Sequence, residues 1–183
     1  AIDGADNGTI VFCGDVFSGN DGRAFGGAIF RTPNGAAQTT RIDKTTFDGN
    51  RALAGMTLPD GTVESGGGGA LYFHNSVLEI ANSTFSGNSS ARGGGALQAD
   101  GTMLVFTNVT ISGNSAVDGL GGGILLFGNG GTLTNCTLAE NHADGGLGLF
   151  GAAIGGGTTI ALENTIVAGN TTQDPWTPMS CHG

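Results

Sequence analysis

Apolar residues recur along this chain at fixed distances from a set of asparagines. With Asn20, Asn50, Asn88, Asn114, Asn141 and Asn170 as anchors, an apolar residue stands three positions before each: Phe17, Phe47, Phe85, Ile111, Leu138 and Val167. Another stands eight before: Phe12, Ile42, Ile80, Phe106, Leu133 and Leu162. After each of the first five anchors comes a glycine-led apolar pair ending at Ile29, Leu71, Leu97, Ile124 or Ile154. Apolar and polar positions alternate around these sites, as in TFSGN at 84–88, which predicts short strands with one face buried. No stretch has helical periodicity. The anchors are 30, 38, 26, 27 and 29 residues apart, and self-similarity at such a period marks a stacked-repeat architecture.

Each repeat thus predicts three short strands between Gly/Asn turns. That is too few for a four-stranded propeller blade and fits one coil of a parallel β-helix, each strand stacking on its equivalent a coil away. The expected fold is all-β: a right-handed, single-stranded parallel β-helix (solenoid) of about six coils of three strands over 1–170. Residues 171–183, with two prolines and the only Trp, read as a capping or extended C-terminal tail over an end that would otherwise expose strand edges. Stacked asparagines can hydrogen-bond along a ladder, and asparagine also tolerates the left-handed backbone of a sharp corner. Glycines at the other corner allow positive φ and close coil approach. Anchors and glycines therefore read as coil geometry.

Interruptions of the pattern locate the surface that is free to vary. From anchor to closing Ile or Leu is nine residues for Asn20 and Asn88, and ten for Asn114. It is 13 for Asn141 and 21 for Asn50. Length varies at one corner, giving loops at 51–65 and 142–150, and a second bulge lies at 31–38. Loops displayed from a rigid scaffold are common binding elements, so Arg51, Met56, Asp60 and Glu64 become candidate binding residues; a neutral surface insertion is the alternative.

Gly is 37 of 183 residues without a collagen triplet, and 38% of residues are apolar, enough to oppose disorder. The formal charge of −9 disfavours nucleic acid as a partner. No Lys or Arg follows Arg92, so the second half is anionic. No apolar run spans a bilayer, so no membrane insertion is expected, and no signal peptide is visible. The chain opens inside the repeating pattern, which suggests a mature or trimmed piece of a longer protein. Cys13, Cys136 and Cys181 form neither a disulfide framework nor a metal-spacing motif. Cys136 holds an inward parity and reads as a small core residue; Cys13 and Cys181 lie too far apart to pair.

The candidate chemistry is thin. A polysaccharide lyase or glycoside hydrolase needs carboxylates grouped with an acid or base, and the best group is Arg41, Asp43 and Asp48, near Lys44 and Arg51, with Asp21 and Arg23 a coil earlier. His74 ends a strand with no carboxylate near it in sequence. A solvated charge cluster is the competing reading. An outward row of Thr46, Thr84, Thr110 and Thr137 is a hydroxyl and methyl array that could order water, as in ice binding, although β-propensity alone explains it. Turn carboxylates Asp100, Asp118 and Asp144 offer Ca²⁺ ligands without a calcium-repeat motif. No metal or other cofactor is otherwise expected.

The motifs GGAI at 26–29 and GGAL at 68–71 and 94–97 alternate with FxxN at 17–20, 47–50 and 85–88. This alternation resembles the repeats of chlamydial polymorphic outer-membrane proteins and, more broadly, bacterial right-handed β-helix repeat proteins. Ile111, Leu138 and Val167 replace the Phe, and GGGI and GAAI vary the second motif. The resemblance implies a secreted or cell-surface passenger, often adhesive. The function expected is non-catalytic adhesion or ligand binding, with a host or neighbouring cell surface or a polysaccharide as partner. Alternatives are the enzyme above, ice binding, or a structural spacer or filament subunit that self-associates end to end.

Overall fold

The computed structural model describes residues 2–4, 8–33, 38–53, 56–57, 59–61, 63–64, 66–144 and 153–172. All their regular structure is strand, and apart from one short antiparallel hairpin it lies in four parallel sheets that the chain visits in turn, coil after coil. Sheet A stacks Ile2–Gly4, Ile29–Arg31, Leu71–His74, Leu97–Asp100, Ile124–Phe127 and Ile154–Gly156. Sheet B stacks Ile10–Cys13, Gln38–Asp43, Ser76–Ala81, Met103–Thr107, Gly131–Thr134 and Ile160–Glu163. Sheet C stacks Val16–Ser18, Thr46–Asp48, Thr84–Ser86, Thr110–Ser112, Thr137–Ala139 and Ile166–Ala168. Sheet D, shorter, stacks Arg51–Ala52, Ser89–Ser90, Ser115–Ala116, His142–Ala143 and Thr171–Thr172. The solenoid is as expected, with one addition: sheet D is a fourth strand per coil. Its two-residue strands turn only Ala52, Ser90, Ala116 or Ala143 inward, so no large apolar residue announces them.

Register turns the sequence period into columns. Ile29, Leu71, Leu97, Ile124 and Ile154 stack in sheet A. Phe12, Ile42, Ile80, Phe106, Leu133 and Leu162 stack in sheet B. Phe17, Phe47, Phe85, Ile111, Leu138 and Val167 stack in sheet C. Except for Leu162, which is exposed on the last coil, the three columns meet in one core. Within it the Phe17–Phe47 and Phe47–Phe85 rings stack with centroids 5.0 and 4.6 Å apart. Each such side chain withdrawn from water contributes about 1.5–3 kcal/mol. Arg31 is the exception: it points inward beside Phe73 in register and is buried. Its guanidinium Nη1 and Nη2 donate to Thr40 Oγ1 and the carbonyls of Gly8 and Thr39, which offsets part of the cost of burying a charge.

The two asparagines of each repeat have separate tasks. The anchors form an unbroken internal ladder: each Nδ2 donates to the Oδ1 of the next anchor, at 2.8–2.9 Å from Asn20 through Asn170. Each of these Oδ1 atoms also accepts a backbone N–H from the preceding anchor. The left-handed backbone falls instead on the other asparagine, at the corner between sheets B and C: Asn82, Asn108, Asn135 and Asn164 have φ of 48, 55, 54 and 46°. The expectation that anchors take that conformation is therefore corrected. A side chain locked in a ladder leaves the sharp turn to the residue before it, here Gly19, Gly49, Gly87, Gly113 or Gly169, with Glu140 as the one substitute. At the corner into sheet A the glycine run is required by space: a Cβ on Gly95 would lie 2.0 Å from the Gly122 carbonyl oxygen.

The insertion expected at 51–65 leaves the solenoid only after Ala52, between sheets D and A, because Arg51–Ala52 is the sheet D strand itself. It contains a two-stranded antiparallel hairpin, Met56–Thr57 with Val63–Glu64. The loops expected at 142–150 and 31–38 leave between sheets D and A and between sheets A and B. Residues 145–150 and 34–37, and the tail from 173 onward with Cys181, lie outside the described residues.

Candidate functional site

The residues singled out for chemistry do not converge. Arg41 lies on the outer face of sheet B, where its Nε donates to Glu79 Oε2 at 2.7 Å across an exposed ion pair. Asp43 follows at the edge of that sheet; its Oδ1 accepts from Asn82 Nδ2 at 2.8 Å and its Oδ2 lies 4.0 Å from Lys44 Nζ. Asp48 is on sheet C and accepts from Ser86 Oγ at 2.6 Å. Each carboxylate thus has a surface partner of its own, and none faces His74, which ends a strand of sheet A. Exposed pairs of this kind contribute little to stability.

Arg51 is exposed on sheet D, level with Asp21 on one side and Ser89 on the other. Asp60 is exposed in the 51–65 insertion. Met56 and Glu64 pair as backbone in the hairpin, and their side chains lie outside the described residues. The threonines do form a row, Thr46–Thr84–Thr110–Thr137 in register, bounded by Val16 and Ile166. Asp100, Asp118 and Asp144 sit on separate coils. Among the described residues no three His, Cys, Asp or Glu side chains are grouped to hold a metal ion, and no helix is long and apolar enough to cross a membrane. Cys136 is buried, its Sγ bonded to the Thr134 carbonyl, and burial raises its thiol pKa; Cys13 is exposed.

The outer face of sheet A brings together residues that the sequence keeps apart. The alternation that sends Leu71 and Phe73 inward sends Tyr72 and His74 out, and the same parity exposes Phe30, Gln98 and Asp100. Phe30 and Tyr72 are in register, their rings stacked along the solenoid axis with centroids 5.4 Å apart. Phe25 packs against Tyr72 at 4.6 Å. One coil on, Asp100 accepts Tyr72 Oη–H at 2.8 Å and Gln98 Nε2–H at 3.1 Å through Oδ2. Asp100 is also the register partner of His74 on one side and of the exposed Phe127 on the other. The result is a three-ring aromatic stack that passes into a hydrogen-bonded carboxylate and amide, with His74 level with that carboxylate one coil back.

Sequence reasoning reached His74 and missed its carboxylate, because Asp100 is 26 residues away and becomes a neighbour only through register. It also missed His142, which stands on sheet D with Nε2 bonded to Asp144 and Nδ1 2.8 Å from Thr171 Oγ1. The only available signal for either was alignment of the repeats by their anchors.

Four parallel sheets wound coil on coil about an asparagine ladder define a β-helix repeat protein whose variable outer surface is carried on a uniform scaffold. More narrowly, the chain belongs to the right-handed β-helix family, whose model, described as a right-handed β-helix region, matches residues 2–172. No curated protein matches the chain.

Proposed function

We propose that this chain is an extracellular or cell-surface β-helix segment that serves adhesion or ligand binding without catalysis, in the manner of the chlamydial polymorphic outer-membrane passengers it resembles. The observation that carries the reading is the outer face of sheet A. Half-buried Phe25, Phe30 and Tyr72 adjoin the Tyr72–Asp100–Gln98 cluster there. Aromatic rings beside fixed polar groups are the usual composition of a recognition surface. The other outer faces offer hydroxyl residues, isolated ion pairs and exposed aliphatic side chains such as Met103 and Val105, and among the described residues none of their strands turns a Phe or Tyr outward. Binding of the purified chain to cell surfaces and to a glycan array is the test. Tyr72→Ala is expected to weaken retention about tenfold, a typical hot-spot loss, and Arg41→Ala on sheet B to leave it unchanged. Equal binding by both variants would count against this face.

A second reading, a polysaccharide-cleaving enzyme, is favoured by one observation: Asp100 stands in register with His74, an acid–base pair of the required types. Turnover of any polysaccharide that disappears in both His74→Ala and Asp100→Asn would replace the binding reading.

A further inference from the structure

Resting on the reading that the outer face of sheet A is the binding surface, we propose that its ligand is an uncharged, hydroxyl-rich glycan chain lying along the solenoid axis. The chemistry of the face selects the class. Asp100 is a carboxylate, an acceptor with about four lone-pair sites. The donors Tyr72 Oη and Gln98 Nε2 fix it in place. Fixed acceptors of this kind suit hydroxyl groups, which donate. They oppose a carboxylate or sulfate, and a protein of net charge −9 adds to that repulsion. The ring edges of Phe25, Phe30 and Tyr72, together with the exposed Phe127, supply apolar contact for the C–H surfaces of sugars. Gln98 and His74 provide further polar partners.

The linear form follows from the register. Phe30, Tyr72 and Gln98 occupy one outward row of sheet A, and His74, Asp100 and Phe127 a second. Successive coils present their side chains about 4.8 Å apart along the axis. A polymer running along that axis would meet Phe30, then Tyr72 with His74, then Gln98 with Asp100, and then Phe127, whose row neighbour Leu125 is buried, whereas a single sugar would reach one or two coils. Longer chains of one glycan are therefore held at more points.

Titration calorimetry of the full chain tests this, with cellohexaose, mannohexaose and chitohexaose as neutral probes and hexagalacturonate as the acidic one. At least one neutral hexamer is expected to bind, more tightly than its own dimer and more tightly than hexagalacturonate. Tyr72→Ala and Asp100→Ala should each weaken it about tenfold, while Thr110→Ala on sheet C should leave it unchanged. Circular dichroism identifies any variant that fails to fold, and Asp100→Asn, which keeps the size of the side chain, then replaces it. Preference for hexagalacturonate that is still lost in Tyr72→Ala would overturn the neutral-glycan assignment and leave the binding face standing. So would capture of a cell-surface protein with no glycan bound, if Tyr72→Ala abolished it. Binding of a neutral hexamer unchanged by Tyr72→Ala and Asp100→Ala would overturn both, as would the absence of binding to any glycan or cell surface.

Discussion

One residue of the ladder shows how polar atoms can form the centre of a core. Asn88 is fully buried, donates through Nδ2 to Asn114 Oδ1 and the Phe47 carbonyl, and accepts the backbone N–H and Nδ2–H of Asn50. Every polar atom of its amide is used. Asn88→Ala removes the group and strands the Asn50 N–H and one Asn50 Nδ2–H in a dry interior, where each unsatisfied group costs about 1–3 kcal/mol. We expect a loss of about 3 kcal/mol in urea unfolding. Asn20 makes the same Nδ2 bond at only one side and is half-buried, so Asn20→Ala should cost less than about 1 kcal/mol. Equal losses would mean that the ladder matters only as shape. The anchors were legible as a ladder because their spacing is that of the apolar columns. Their separation from the left-handed asparagines was not, since both kinds of site favour the same residue type and sequence does not display φ.

Among elements, the corner glycines divide into two kinds that look alike in the sequence. Gly87 has φ of 59° with open space where a Cβ would go, whereas a Cβ on Gly95 would meet the Gly122 carbonyl oxygen at 2.0 Å and the Ser115 nitrogen at 2.5 Å. The first needs only a left-handed conformation, which costs an L-residue about 1–2 kcal/mol. The second needs the absence of a side chain, because backbone on the next coil occupies the space. Gly87→Ala should therefore fold with a loss of about that size, and Gly95→Ala should fail to give a cooperative transition. Urea unfolding followed by circular dichroism separates the two; a stable Gly95→Ala variant would show that the coils can move apart. The strands of sheets B and C could be read in advance because each places a large apolar residue at a constant distance from its anchor, and those of sheet A because a glycine-led motif precedes the apolar residue although its distance from the anchor varies. Sheet D could not, since Ala52, Ser90, Ala116 and Ala143 are small. The Tyr72–Asp100 and His74–Asp100 relations were hidden for a different reason. They join residues 28 and 26 apart, one coil away, which are neighbours on the surface but not in the sequence until the register is fixed.

At the scale of the whole molecule, a solenoid separates what folds from what binds, because each coil touches only its neighbours and stability is close to a sum over coils. Removal of residues 89–114 tests this. The 26 residues equal the Asn88–Asn114 spacing, and the junction joins Asn88 to Ser115, the register partner of Ser89. After the deletion Ile124–Phe127 should stack on Leu71–His74, Gly131–Thr134 on Ser76–Ala81 and Thr137–Ala139 on Thr84–Ser86, with every inward column and the ladder continuous. The shortened protein should keep a β-sheet circular dichroism spectrum. Its urea m-value should fall by about one-seventh, in proportion to the 26 of 183 residues lost. It should also lose binding, because Gln98 and Asp100 go with the excised coil and Tyr72 is left beside Leu125. If the 26-residue deletion unfolds the protein, the coils are not independent units and the site cannot be separated from the scaffold. If it folds and still binds as before, the ligand is held elsewhere than on the outer face of sheet A.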